Sequence, residues 1–266
     1  MIIDTHCHLD DARFRDDVDD VIKNAYEQGV QGIIIPGADI EDLSYAQELS
    51  HRYSHIFFAT GIHPYHHEQY DEKILRSFLS DEKCIAVGEC GLDYFRLPED
   101  AAEKEAEKQK QKDVFVKQIE LAKELKKPLI VHIRDANEDS KHLLVEKNAD
   151  VVGGVLHCYN ASKHLLDLAD KGFYFGIGGV LTFKNAKNLI EVLPLIPKDK
   201  LLLETDAPYL TPMPYRGERN EPSYTLLVAQ KMSELLNISV TELHNLTSKN
   251  AFTLFKALEK IKLDTI

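Results

Sequence analysis

Two histidines one residue apart follow the first apolar residues of the chain, in Ile2-Ile3-Asp4-Thr5-His6-Cys7-His8. Side chains two positions apart on a strand share a face, so His6 and His8 can reach one metal ion together. Glu89, His132, His157 and Asp206 each stand at the carboxyl end of a later apolar run. Six residues of metal-ligating type, at equivalent places in a repeating pattern, point to a two-metal hydrolase. Imidazole and carboxylate donors suit Zn, Mn, Fe or Ni, and carboxylates also admit Mg. Glu89 can bridge two ions through its two oxygens. The expected division is His6, His8, Glu89 and Asp206 around one ion, with Glu89, His132 and His157 around the other. Two divalent ions about 3.5–4 Å apart can clamp a phosphodiester and acidify a water. Asp206 is placed to accept the proton of that water. Asp206 and Glu89 are therefore the expected catalytic residues as well as ligands.

Other residues lie close to this set in the pattern. His63, in Gly61-Ile62-His63-Pro64 after the third apolar run, is expected to donate to a phosphate oxygen. Arg134 follows His132 by two positions and shares its face, where it can meet a phosphate bidentately or pair with a carboxylate. Arg216 and Arg219 belong to a Pro/Gly-rich loop after Asp206, as substrate contacts or as solvated charges. Glu204 is expected to face inward and hold a ligand histidine. His66 and His67 read as part of a solvated loop. His51, His55, His142, His164 and His244 read as surface residues.

The elements that must position these residues can be read from the apolar runs. They fall at 2–6, 31–36, 56–60, 84–89, 128–133, 151–157, 173–178 and 200–206. They are near-continuous and rich in β-branched residues, as parallel strands buried on both faces are. Helical patterns separate them at Asp17–Gln28, Glu41–His51, Asp71–Leu79, Val114–Leu125, Asn137–Lys147, Ser162–Lys171 and Ala186–Leu193. Gly29 and Gly172 fit helix stops. Two more helices are expected near Ser223–Leu236 and Val240–Leu258. The alternation predicts a (β/α)8 TIM barrel with an additional C-terminal helix, as one hydrolase domain over 1–266. In that fold chemistry sits at the carboxyl ends of the strands, where all six candidate ligands fall. The stretch Glu99–Lys112 has alternating charges and no apolar stripe, and reads as a solvated extension of the fourth barrel helix.

Composition narrows the partners. The net charge of −12 argues against a broad basic grip on nucleic acid. An anionic substrate would be held by bound cations and a few local arginines. No run approaches the roughly 20 apolar residues of a membrane span. The opening residues carry no basic stretch ahead of an apolar one, so a cytoplasmic location is expected. Cys7, Cys84, Cys90 and Cys158 show no CxxC spacing and read as free thiols. Nothing in the sequence calls for an obligate protein partner.

Taken together, IIDTHCHLD (2–10), GIHP (61–64), VGECGLDYF (87–95), PLIVHIRDA (128–136), HCYN (157–160), ETDAPYL (204–210) and RNEP (219–222) resemble the TatD family of metal-dependent deoxyribonucleases. That family lies within the amidohydrolase superfamily. The resemblance runs over essentially the whole chain. It implies a TIM-barrel hydrolase with two divalent ions; a histidine-rich site of this kind takes Zn, and Mg or Mn is expected for turnover. It also implies 3′-to-5′ exonuclease activity on single-stranded DNA. The family's metal positions fall on His6, His8, Glu89, His132, His157 and Asp206, and its phosphate-contacting histidine on His63. The run after His157 and the length of the 99–112 stretch depart from the family pattern. An alternative is an ester or amide hydrolase on the same scaffold, such as a D-aminoacyl-tRNA deacylase. Many amide-hydrolysing relatives carry a carboxylated lysine at the fourth strand, where this chain has Glu89.

Overall fold

The computed structural model describes residues 1–263, with side chains as far as Glu259. The expected domain runs to residue 266, and 264–266 lie outside the described residues. Eight strands form one sheet in chain order: β1 (Ile2–Asp4), β2 (Val30–Ile35), β3 (Ile56–Thr60), β4 (Cys84–Asp93), β5 (Leu129–Arg134), β6 (Gly154–Leu156), β7 (Phe173–Ile177) and β8 (Leu201–Leu203). Every paired neighbour is parallel. The connecting helices are α1 (Val18–Glu27), α2 (Leu43–Arg52), α3 (Glu72–Leu79), α4 (Ala101–Leu125), α5 (Asn137–Glu146), a 3-10 segment at Lys163–Lys171, α6 (Lys187–Val192) and α7 (Thr225–Leu236). The additional helix is α8 (Val240–Leu254). The architecture is a (β/α)8 TIM barrel. No helix among the described residues is long and apolar enough to cross a membrane.

Local chemistry sets the helix ends. The Asp71 and Asp100 carboxylates accept the first free N–H groups of α3 and α4. Ser239 and Glu242 form a reciprocal capping box on α8. Gly172, at φ +80°, ends the 3-10 segment. That segment tightens to three residues per turn, which keeps the buried Leu165 and Leu168 on one side. Strand β6 is shorter than its apolar run because Val151 lies in a 3-10 turn and is 71% exposed. Strand β4 is longer than its run. It continues past Glu89 because Gly91 pairs with His132 and Asp93 with Arg134. Gly91 permits this approach, since a Cβ there would run into the His132 carbonyl oxygen.

The core has two layers. One lies between barrel and helices, around Phe14, Phe58, Phe115 and Phe175. The other fills the barrel interior, where Ile3, Ile34, Phe57, Ile130 and Leu202 meet Phe252, Phe255 and Leu258. The C-terminal helix and the turn after it therefore plug one end of the barrel.

The seam between β1 and β8 closes the other circuit without a long ladder. The Thr5 N–H donates to the Leu203 carbonyl at 3.0 Å, the Asp206 N–H to His6 at 2.9 Å and the His8 N–H to Ala207 at 2.7 Å. The buried Asp4 carboxylate accepts from the Thr205 N–H at 3.0 Å and the Thr205 hydroxyl at 2.6 Å. Burial, only partly offset by these bonds, raises the Asp4 pKa to about 7. The seam fixes the two segments carrying His6, His8 and Asp206.

Truncating the plug tests its weight. Phe255 is 1% exposed. Phe255→Ala is expected to lower unfolding stability by about 3–5 kcal/mol in urea titration. A loss below about 1 kcal/mol would show that the interior closes without it.

Candidate metal centre

The six residues singled out by the strand-end pattern converge at the carboxyl end of the barrel. His6 and His8 follow β1, Glu89 lies within β4, His132 is on β5, His157 follows β6 and Asp206 follows β8. Asp206 holds a left-handed backbone at φ +57°, pinned by its N–H bond to His6. Glu89 is the centre of the arrangement and is 2% exposed.

The two carboxylate oxygens of Glu89 face different partners. Oε2 lies 3.3 Å from His6 Nε2 and 3.6 Å from His8 Nε2. Asp206 Oδ1 lies 3.6 and 3.5 Å from the same nitrogens, which are themselves 3.2 Å apart. Oε1 lies 2.8 Å from His132 Nδ1 and 2.9 Å from His157 Nε2, and those nitrogens are 3.1 Å apart. A tetrahedral ion with bonds of about 2.0–2.1 Å needs donor atoms about 3.4 Å apart. His6, His8 and Asp206 match that spacing and form one set that could hold an ion, with Glu89 Oε2 beside the two histidines. The separations in the group around Oε1 are somewhat shorter and involve three donors. Nitrogen and carboxylate donors in these numbers fit divalent cations, so His6, His8, Asp206 and Glu89 could hold one, and Glu89, His132 and His157 another.

The field at this point favours positive charge. Burial works against the Glu89 carboxylate, but His157, His132 and His6 outweigh it and hold its pKa well below the usual range. Burial likewise opposes the Asp206 carboxylate, and the histidines around it still keep its pKa low. His8 is driven up to about 9: burial opposes the shift, and Asp206 and Glu89 overcome it. His132 also rises to about 9 against burial, through Asp93 and Glu89. His6 has less compensation, and burial takes it down to about 4. Its ring stacks on His157 at 3.9 Å.

Several neighbours are placed differently from expectation. Asp93, not foreseen, accepts from His132 Nε2 at 2.9 Å and so directs Nδ1 at Glu89. It lies four residues beyond Glu89 on the same strand, hence on the same face. That spacing, with the need of a ligand histidine for a carboxylate partner, was the available signal. Glu204 does face inward, but its Oε1 accepts from the Cys158 N–H at 2.6 Å and stays 3.9 Å from His157 Nδ1. It holds the backbone beside His157 rather than the ring. Gly176 makes room for it, since a Cβ there would overlap Glu204 Oε2.

His63 reaches the centre from the loop after β3, with Nε2 3.7 Å from Glu89 Oε1. Its Nδ1 accepts from the Tyr65 N–H at 3.1 Å, which leaves the ring proton on Nε2. Burial lowers its pKa to about 3. Arg134 is exposed, and its guanidinium lies 3.7 Å over the Phe95 ring. It lines a cavity of about 510 Å³ beside the donors, together with His132, His157, Asp206, Tyr209 and Leu189. Arg219 instead grips Asp17 through two bonds of 2.7 and 2.8 Å and braces its loop.

The 99–112 stretch is more than a solvated extension. It forms the first half of α4, and its Gln111 is buried, with Oε1 accepting from the Asp93 N–H at 3.0 Å. Its Glu107 binds His67 at 2.8 Å, so His67 is not a solvated loop residue. His55 and His244 are half-buried, each with an Nε2 that has no partner among the described residues. His51, His142 and His164 are exposed.

The family model described as TatD related DNase matches residues 3–256. An uncharacterized metal-dependent hydrolase of Bacillus subtilis, YabD, is 40% identical, covering 96% of this chain and 99% of its own. A Salmonella typhimurium protein named 3′-5′ ssDNA/RNA exonuclease TatD is 33% identical over 97% of this chain and 100% of its own. The crystal structure of YJJV, a TatD homologue from Escherichia coli, superposes with a TM-score of 0.86 at 28% identity, covering 96% and 98% of the two chains. With the family matched across nearly its whole length, this chain belongs to the TatD family of metal-dependent hydrolases.

Proposed function

We propose that the chain is a phosphodiesterase, a 3′-to-5′ exodeoxyribonuclease acting on single-stranded DNA, and that residues 1–266 work as one domain. One observation carries the reading. Glu89 turns each of its oxygens to a separate donor group, with a neutral histidine donor and a cavity beside them. Relatives named as single-strand exonucleases, at 33–34% identity, support the substrate.

His6, His8, Asp206 and Glu89 would hold one divalent ion, and Glu89, His132 and His157 a second, Mg or Mn in turnover with Zn as an alternative. Such ions supply Lewis acidity and lower the pKa of water. The remaining chemistry belongs to the side chains. His63 stays neutral at ordinary pH because burial disfavours its cation, so Nε2–H is a fixed donor for a phosphate oxygen. Asp206 stays ionised and can accept the proton of an attacking water. Asp93 keeps His132 in one orientation. Arg134, at the cavity rim, presents a guanidinium to a phosphate. We read the enzyme as cytosolic, in keeping with its free Cys7, Cys84, Cys90 and Cys158.

The decisive experiment uses single-stranded DNA labelled at either end, with Mg, Mn, Zn or EDTA. Stepwise shortening from the 3′ end is expected with metal and not with EDTA, and Glu89→Ala is expected to abolish it. Intact DNA under every metal, alongside release of amino acid from charged tRNA, would overturn the nuclease reading.

Two substitutions separate the supporting roles. Asp93→Asn is expected to cost about 10–100-fold in metal affinity or rate, read by metal titration of activity. His63→Ala should lower kcat by about 10²–10³-fold while metal affinity holds, read by the same titration. A His63→Ala variant that loses metal instead would make His63 a ligand rather than a phosphate donor.

A further inference from the structure

The chain has acidic residues in excess, 44 against 32 Lys and Arg. Carboxylate partners for arginine are therefore plentiful, and most arginines have one. Arg13 pairs with Asp11, Arg15 with Asp42, Arg52 with Asp19, Arg76 with Glu124 and Arg219 with Asp17. The others, Arg96, Arg134 and Arg216, have no carboxylate partner among the described residues. All three are exposed. All three lie at the carboxyl end of the barrel strands: Arg96 after β4, Arg134 at the end of β5 and Arg216 in the loop after β8.

Each of these three guanidiniums lies by an aromatic ring, as Arg13, Arg15 and Arg219 also do, and Arg216 Nη1 donates to the Thr211 carbonyl at 3.5 Å. Arg134 sits 3.7 Å from the centre of Phe95, Arg216 4.1 Å from Phe183 and Arg96 5.4 Å from Tyr65. A ring supports a guanidinium through its face and leaves the N–H edge open to a phosphate. The rings themselves are partly open to solvent: Phe95 is 56% exposed and Tyr65 36%. Tyr65 lies 5.0 Å from the His63 ring. Tyr209, 46% exposed, stands 6.0 Å from His8 at the other side of the centre.

We propose that Arg96, Arg134 and Arg216, with Phe95, Tyr65 and Tyr209, form a track that binds a single nucleic-acid strand beyond the phosphate being cut. The track rests on the nuclease reading above. The guanidiniums meet successive phosphates, and the exposed rings stack on bases, which only an unpaired strand offers. An overall anionic protein thus binds a polyanion through a local row of unpaired arginines, and binding depends on salt.

The test compares metal-loaded wild type with R96Q/R216Q on a long DNA strand and on a dinucleotide, at several salt concentrations. Each phosphate contact on a single strand contributes a slope of about 0.7 in log affinity against log salt. For the strand, log(kcat/KM) is expected to lose about 1.4 of that slope in R96Q/R216Q, and R96K/R216K to recover most of it. The ratio of kcat/KM for strand over dinucleotide is expected to fall about tenfold, whereas a general structural defect would lower both and spare the ratio. Should the double variant fail to fold by circular dichroism, each single substitution is expected to remove about 0.7 of the slope. An unchanged slope in variants of an enzyme that still degrades the strand overturns the track alone. Blunt duplex cut as fast as the strand overturns its single-strand character. A wild type that cuts neither strand nor dinucleotide with any metal removes the nuclease reading and the track with it.

Discussion

A single buried carboxylate organises this molecule. An ionised Glu89 cut off from water would be strongly unfavourable unless positive charge and hydrogen-bond donors surrounded it. Those groups cannot come from one local segment. His6 and His8 come from the beginning of the chain, His63 from the β3 loop, His132 from β5 and His157 from beyond β6. Only a closed parallel barrel brings the carboxyl ends of so many strands to one point. The β1–β8 seam is the vulnerable step in that closure, since Asp4 and Thr205 must meet across 201 positions of chain. The same seam sets His6 and Asp206 side by side.

Helix α4 supports the centre from outside the barrel. Gln118 bonds both the N–H and the carbonyl of Ile62, at 2.8 and 3.0 Å, directly before His63. Two turns earlier Gln111 holds Asp93, which holds His132. One rigid rod thus fixes the phosphate-donor candidate in the loop after β3 and the orienting carboxylate on β4. Precision at such a site depends on how firmly its supporting groups are held. This role explains two buried glutamines on the face of α4 that otherwise buries Val114, Phe115, Ile119 and Ala122.

Much of this was legible in the sequence because it follows from spacing. Strands alternate their faces, so His6 and His8 declare a shared direction, and continuous apolar runs declare parallel strands. The barrel and the convergence of its strand ends followed. Features that depend on long-range pairing were not legible. Gln111 finds Asp93 across 18 positions and His67 finds Glu107 across 40, and nothing local to α4 announces either. Glu204 was read as facing inward but not as bonding the Cys158 backbone, because a strand pattern gives a side chain's direction and not its partner.

The plug of Phe252, Phe255 and Leu258 has a consequence for how the protein is made. Ribosomes release a chain from its amino terminus, and domains fold as units while they emerge. The apolar interior formed by Ile3, Phe57 and Ile130 must wait for residues near position 255 before it is sealed. The candidate ligands His6 and His8 emerge long before the Asp206 they face across the seam. A nascent chain therefore carries an incomplete donor set until Asp206 has emerged, and an unsealed barrel until α8 and the turn after it follow.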